Sequence, residues 1–372
     1  MLPNFLFLPS LPIVNEYFNS NFSIFQFSIS AYLFTSASLQ IILGPLADFF
    51  GKRKVLSICF IIFIFSTLLC LTTENVYLFL LYRMFQATAV SGMVISRAIA
   101  ADINNDEKQL KKIMANMAII MALITVFAPF LGGVLLNVGS WRLIFYVLLI
   151  IAIILLSYNH FFYLEKKSIS LNFKRHLHEY KILLLNPYFW IYSLVGGSST
   201  ITFFSLMIAI PFMVENIYFI SITTSSLMLS FITSGFIIGN ISSTKFLGSM
   251  NFIPLTFYSL LIGIIGVILS FLLYISVNNI VIILIPFFLS GLSTGIIWPM
   301  TTSKILMINE KMRASSSGLN GAIFLGFGAI ASSSTGILLS ITNSIFSIYI
   351  IAILSLLIMS ILFIFLRLKP NI

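Results

Sequence analysis

Arg83 and Gln86 lie three residues apart inside an apolar run, LLYRMFQATAV. A guanidinium at membrane depth costs several kcal/mol, so it should face the interior of a helix bundle and find a partner there; the plain alternative is an arginine that snorkels to the outer interface. A second cluster, GPLADFFGKRK, places Asp48, Lys52, Arg53 and Lys54 between Gly44 and the next apolar run. Residues of these types have no place in hydrocarbon, so the stretch predicts a tight turn at one membrane face joining two spanning helices. In that turn Gly44 would permit close helix approach and Gly51 a left-handed backbone, while the Asp48 carboxylate accepts hydrogen bonds from a helix N-terminus or a guanidinium. Asp102, with Lys52 or Arg53 as partner, would complete a latch that holds this face closed; the plain alternative is a solvated turn with ordinary topology-setting bases.

The ten acids are Glu16, Asp48, Glu74, Asp102, Asp106, Glu107, Glu165, Glu179, Glu215 and Glu310. None is expected at the membrane centre, where a titratable group would have to trade its charge against a substrate. His176 and His178 stand two residues apart with no Cys or acid cluster around them, so no metal site is expected. Cys59 and Cys70 lie about 16 Å apart along one helix and cannot bridge each other. An integral-membrane enzyme would need acids, histidines or a metal set gathered at one membrane level, and here they are scattered over loops.

These residues are positioned by an overwhelmingly apolar chain. Of its 372 residues 59% are hydrophobic and 8% charged, and the mean hydropathy is +1.10. That excludes a soluble domain, whose composition would include about a quarter charged residues. A short apolar start at 2–14 is followed by eleven predicted spans, at about 24–46, 55–72, 76–101, 113–136, 142–163, 187–213, 223–246, 252–275, 279–303, 314–339 and 344–366. The N-terminus MLPNFLFLPSLP lacks the basic region and cleavage site of a signal peptide. Loops on alternate sides at 47–54, 102–112, 164–186, 245–251 and 304–313, with the tail from Arg367, hold 17 of the 20 Lys and Arg; the opposite loops hold Arg142 alone. The positive-inside rule makes the basic loops and the C-terminus cytoplasmic. The net charge of +10 is therefore an orientation signal and implies no nucleic-acid partner.

The longest polar interval, Leu164 to Pro187, separates about six spans from six, the repeat layout of many secondary transporters. It predicts an N-terminal bundle at 1–163, a cytoplasmic linker at 164–186 and a C-terminal bundle at 187–372. GNISSTKFLG, from Gly239, weakly echoes the Gly44–Gly51 turn without its acid. Pro129, Gly132 and Gly133 in the fifth span form a pliable seam, with Gly318, Gly321, Gly326 and Gly328 of the eleventh read the same way. Tyr32, Gln86, Met117, Trp298 and Asn320, on central helices, are candidates for lining an apolar substrate cavity. Arg97, nearer the basic face, is read as structural.

The turn GPLADFFGKRK resembles the signature loop of the major facilitator superfamily, with Gly44, Asp48, Gly51, Lys52 and Arg53 in matching places. LYRMFQATAVSGMVISRAIAADI looks like the fourth-helix motif, with Arg83 and Gln86 matching. APFLGGVLLNVGSWRLIFYVL, from Ala128, is similar to the antiporter motif in the wording of the Bcr/CflA (bicyclomycin and chloramphenicol resistance) drug:proton antiporters, and IPFMVENIY and RASSSGLNGAIF extend the likeness into the second half. The resemblance implies an all-α major facilitator fold, two six-helix bundles related by a pseudo-two-fold axis. It implies export of small amphipathic drugs or metabolites by proton antiport and alternating access, as a multi-pass monomer in the cytoplasmic (inner) membrane of a bacterium. The partners would be a small-molecule substrate, protons and lipid, with no cofactor beyond the proton gradient; Arg83 would serve proton coupling and Pro129, Gly132 and Gly133 the antiporter hinge. Relatives begin some twenty residues earlier and carry a first-helix acid before an LPxLP stretch. Here that stretch is Leu8 to Pro12, and Asn4 or Phe5 stands in the acid's place. A first helix truncated in this way is expected from a late start codon or from a decaying gene. The alternatives are an uptake carrier or uniporter of the same superfamily and a non-functional remnant.

Overall fold

The computed structural model describes residues 2–20, 22–90, 92–96, 99, 107–162, 173–246, 252–309, 312–342 and 344–368. Its helices are α1 (Leu2–Phe7), α2 (Leu11–Tyr17), α3 (Phe22–Phe50), α4 (Lys52–Thr72), α5 (Val76–Gln86), α6 (Glu107–Val138), α7 (Arg142–Phe162), α8 (Phe173–Leu185), α9 (Pro187–Phe212), α10 (Ile222–Phe246), α11 (Phe252–Ser276), α12 (Ile280–Leu284), α13 (Phe288–Ile308), α14 (Arg313–Thr342) and α15 (Phe346–Leu368). Among the described residues, ten helical stretches are long and apolar enough to cross a membrane, and α6 carries a further apolar stretch, Leu123–Val138, where the remaining span is expected. The protein is an all-α, multi-pass membrane protein. Asp102 and Arg97 lie outside the described residues.

Local chemistry explains where the spans start. Asn75, Asn186 and Asn279 each turn a side-chain oxygen onto two backbone N–H groups, at the N-termini of α5, α9 and α12. Each cap satisfies donors that would otherwise be orphaned and contributes about 1 kcal/mol. Arg142 ties ends opposite the basic loops: its Nε donates to the Leu71 carbonyl near the end of α4 at 3.3 Å and its Nη2 to the Tyr17 hydroxyl at 2.7 Å.

The stretch from Gly44 to Lys54 corrects its sequence reading. Only Gly51 leaves the helical path, with φ of 97°, so the turn is one residue long and α3 runs on to Phe50. Glycine takes that left-handed backbone without strain. Gly44 has open space where a Cβ would stand, so it permits no close helix approach. The helix survives Pro45, which lacks an N–H and leaves the carbonyl of Ile41 without its intrahelical donor. That carbonyl accepts instead from the Tyr180 hydroxyl, on α8, at 2.9 Å. Burial, reinforced by the Glu179 and then the Asp48 carboxylate, pushes the Tyr180 phenol up to about 12, so it stays protonated and keeps its donor.

The part of the chain before α8 meets the part after it along two seams, α3 against α14 and α6 against α10. Both seams depend on missing side chains. A Cβ on Gly133 of α6 would run into the Ser226 side chain of α10, and one on Gly321 of α14 into the Gln40 amide of α3. Gly132 packs instead on the Leu6 carbonyl of α1, and Gly326 has open space around it. The hinge motif therefore splits its work: Gly133 faces the other half and Gly132 faces its own.

Replacing Tyr180 by Phe removes the donor to Ile41 and leaves a half-buried carbonyl without that partner. Thermal unfolding of the purified protein should show a loss of about 1–3 kcal/mol; an unchanged midpoint would show that Pro45 needs no such repair.

Candidate functional site

Arg83 is wholly buried, which removes the possibility that it reaches to the membrane surface. Its Nη1 donates to Gln86 Oε1 at 2.8 Å and its Nη2 to Asn4 Oδ1 at 3.5 Å, and the guanidinium lies 4.3 Å from the Phe7 ring centroid and 5.0 Å from that of Tyr32. Gln86 in turn donates through Nε2 to Thr67 Oγ1 at 2.8 Å, and Thr67 donates to the Phe63 carbonyl at 2.6 Å. This relay fixes which way the Gln86 amide points and so holds the guanidinium plane. The structure thus gathers three of the sequence candidates, Arg83, Gln86 and Tyr32, and adds Asn4, Phe7 and Thr67. Asn4 was legible as the residue standing where relatives carry an acid; Phe7 carried no signal among 38 phenylalanines.

Trp298 and Asn320 form a different group, between α13 and α14. The Trp298 ring lies 3.7 Å from that of Phe324, and Asn320 donates to Thr302 Oγ1 at 3.2 Å. Met117 is half-buried on α6. Among the described residues no hydrogen bond or ring contact links Met117, Trp298 or Asn320 to Arg83, Gln86 or Tyr32.

A second cluster of polar side chains stands at the basic end. His176 of α8 sits with Nε2 3.2 Å from Asp48 Oδ2 and Nδ1 3.2 Å from Ser315 Oγ and 3.7 Å from Glu179 Oε2. Ser315, in the first turn of α14, donates its one proton to Glu179. The Asp48 carboxylate accepts from Nε2, and the ring stands between that carboxylate and the one of Glu179. Lys52 Nζ stands 3.9 Å from Asp48 Oδ1. Arg53 donates to the His160 carbonyl, where a cation suits the C-terminus of α7, and Asn159 Nδ2 returns a bond to the Arg53 carbonyl at 3.2 Å.

Asp48 therefore reaches α14 through His176 of the connecting helix, a set of contacts that the sequence reading did not contain. His176 was missed because its partners are 128 and 139 residues away in sequence, and an i,i+2 histidine pair gives no hint of them. At the opposite end the two parts of the chain meet again, with Asn137 Nδ2 of α6 donating to Thr223 Oγ1 of α10 at 2.8 Å.

Residues 1–333 match the sequence pattern of the Major Facilitator Superfamily. The chain belongs to that superfamily. An uncharacterized MFS-type transporter of Bacillus subtilis, YdgK, is 32% identical over 250 residues, 63% of this chain and 61% of that one. Matching stretches of drug-resistance proteins are also found: 31% identity over 151 residues to the chloramphenicol resistance protein CraA of Acinetobacter baumannii, 41% of this chain and 37% of that one; and 25% over 337 residues to multidrug resistance protein D of Escherichia coli, 88% and 83%. The chain thus spans about three-fifths of the first of these relatives. A crystal structure of a D-xylose-proton symporter superposes with a TM-score of 0.72 at 14% identity, over 96% of this chain and 95% of that one, and shows that the fold is shared.

The Asp48–His176 contact yields a coupled pair. Asp48→Asn and His176→Gln should each lower the midpoint of thermal unfolding, and the double variant should be little worse than the poorer single one, with a coupling of about 1 kcal/mol. Strictly additive losses would mean that the two residues act independently.

Proposed function

We propose that this member of the superfamily is a secondary efflux transporter, exporting small amphipathic molecules across the cytoplasmic membrane of a bacterium. On this reading residues 1–163 and 187–372 are two bundles that rock against each other, with the basic loops and the C-terminus in the cytoplasm. One observation carries the mechanism. The two bundles are tied at both ends of the same interface, by Asp48–His176–Ser315 at the basic end and by Asn137–Thr223 at the other.

Alternating access requires one tie to break while the other holds. Hydrogen bonds and partly exposed ion pairs suit that task, because water replaces each lost partner when an end opens and the net cost stays near 1 kcal/mol per bond. The direction of transport rests on the drug-resistance relatives and on the fifth-helix motif. The proton gradient is the proposed energy source. Asp48 and Glu215 are the acids described within the spanning stretches, and both stand at the ends of their stretches, so the coupling proton would be taken up near a membrane face.

Expression of the chain in a host lacking its main drug pumps should raise tolerance to at least one amphipathic drug, and an uncoupler should abolish the gain. Tolerance that survives the uncoupler would contradict proton coupling. Raised drug accumulation in the cells would show uptake instead. Asp48→Asn should cut export several-fold with the protein still inserted; wild-type export by that variant would remove the latch from the mechanism.

A further inference from the structure

The buried guanidinium of Arg83 has no countercharge among the described residues. All its hydrogen-bonding and ring partners among the described residues are neutral: Gln86 at 2.8 Å, Asn4 at 3.5 Å, and the rings of Phe7 and Tyr32. Its Nε has no partner. Arginine cannot shed its proton inside a protein, so the charge stays, and neutral amides and rings compensate it only in part. Yet the group is held in place. The relay through Gln86 and Thr67 to the Phe63 carbonyl fixes its orientation, which a merely tolerated charge would not need.

The surroundings match one kind of guest. The aromatic rings of Phe7 and Tyr32 supply apolar walls, and the guanidinium fork keeps N–H donors for a planar anion. Tyr32 also belongs to a buried polar line on α3, with Ser28, Ser36 and Gln40 at four-residue spacing, all 3% exposed or less. Ser28 Oγ and Gln40 Nε2 have no hydrogen-bond partner. Gln40 lies against Gly321 of α14, so this line follows the seam between the two halves toward the latch at Asp48. A seam that opens during transport would expose these groups to the guest on its way to Arg83.

We propose that Arg83 docks the carboxylate of an amphipathic organic acid, with Phe7 and Tyr32 holding its apolar body and Gln86 orienting the guanidinium. This assigns a substrate class to the efflux reading, and rests on it. Asn4, which accepts from Nη2 at 3.5 Å, is neutral, so on this assignment the countercharge comes with the substrate. A membrane negative inside favours the outward movement of an anion.

The test is binding to the purified full chain, read as a shift in its thermal unfolding, with naphthoate as probe and its methyl ester, the matching naphthylmethylamine and sodium chloride as controls. Millimolar naphthoate should raise the midpoint by a few degrees, while the ester and the amine leave it in place. Asn4→Asp supplies an internal carboxylate and should weaken naphthoate binding at least tenfold; Arg83→Gln should abolish it and Arg83→Lys restore part. Should Arg83→Gln fail to fold, Asn4→Asp decides. No naphthoate shift, an equal shift with the amine, or wild-type binding by Asn4→Asp would each overturn the assignment. A chloride shift that displaces naphthoate would make an inorganic anion the guest and overturn it as well. Because binding does not depend on transport, loss of drug tolerance in cells with intact naphthoate binding counts against efflux alone. Naphthoate binding that disappears in neither Arg83 variant counts against this site alone.

Discussion

Within hydrocarbon a polar group must find its partner inside the protein, and the layout of this chain follows from that constraint. Pro45 takes a donor away from Ile41, and Tyr180 restores one from a helix outside the span. The repair ties α8 to α3, and the same helix carries His176 to Asp48 and Glu179 to Ser315. A backbone defect near the end of one span thereby joins the helix that links the two halves to the face where they meet.

Arg83 states the same constraint in its harder form. A peptide carbonyl is satisfied by one hydroxyl, whereas a guanidinium brings five donors and a permanent charge. The chain orients this charge through Gln86 and Thr67 without neutralising it. The two sites differ in a way that suits transport. The basic-end cluster sets charges of both signs together, Lys52 against Asp48, while Arg83 is buried among neutral partners with its Nε unpaired.

The architecture was legible because hydropathy and loop charge report it directly. Among the described residues the expected spans fall on helices, with the one at 76–101 followed by α5 as far as Gln86 and the one at 279–303 divided between α12 and α13, and Arg83 was placed in the bundle interior by cost alone. Gly51 was read correctly because a one-residue turn between helices demands a left-handed backbone. Gly44 was not, since a glycine near a helix end looks the same whether a neighbour fills its space or leaves it empty. The latch was half legible: Asp48 stood out among bases, but His176 and Ser315 meet it only through the fold. The grouping of Tyr32 with Arg83, and of Trp298 with Phe324 elsewhere, was equally invisible, because aromatic residues are too frequent in this chain to mark a site.

The mechanism turns on whether the basic end opens when its tie is cut. Spin labels at Phe49→Cys and Met307→Cys, both exposed at that end, in a background with Cys59 and Cys70 replaced by Ser, would report the separation of the two halves by pulsed electron–electron spin resonance. The latch described here predicts a short distance in the otherwise native protein and a second, longer population in Asp48→Asn. A single distance, unchanged by that substitution, would contradict it.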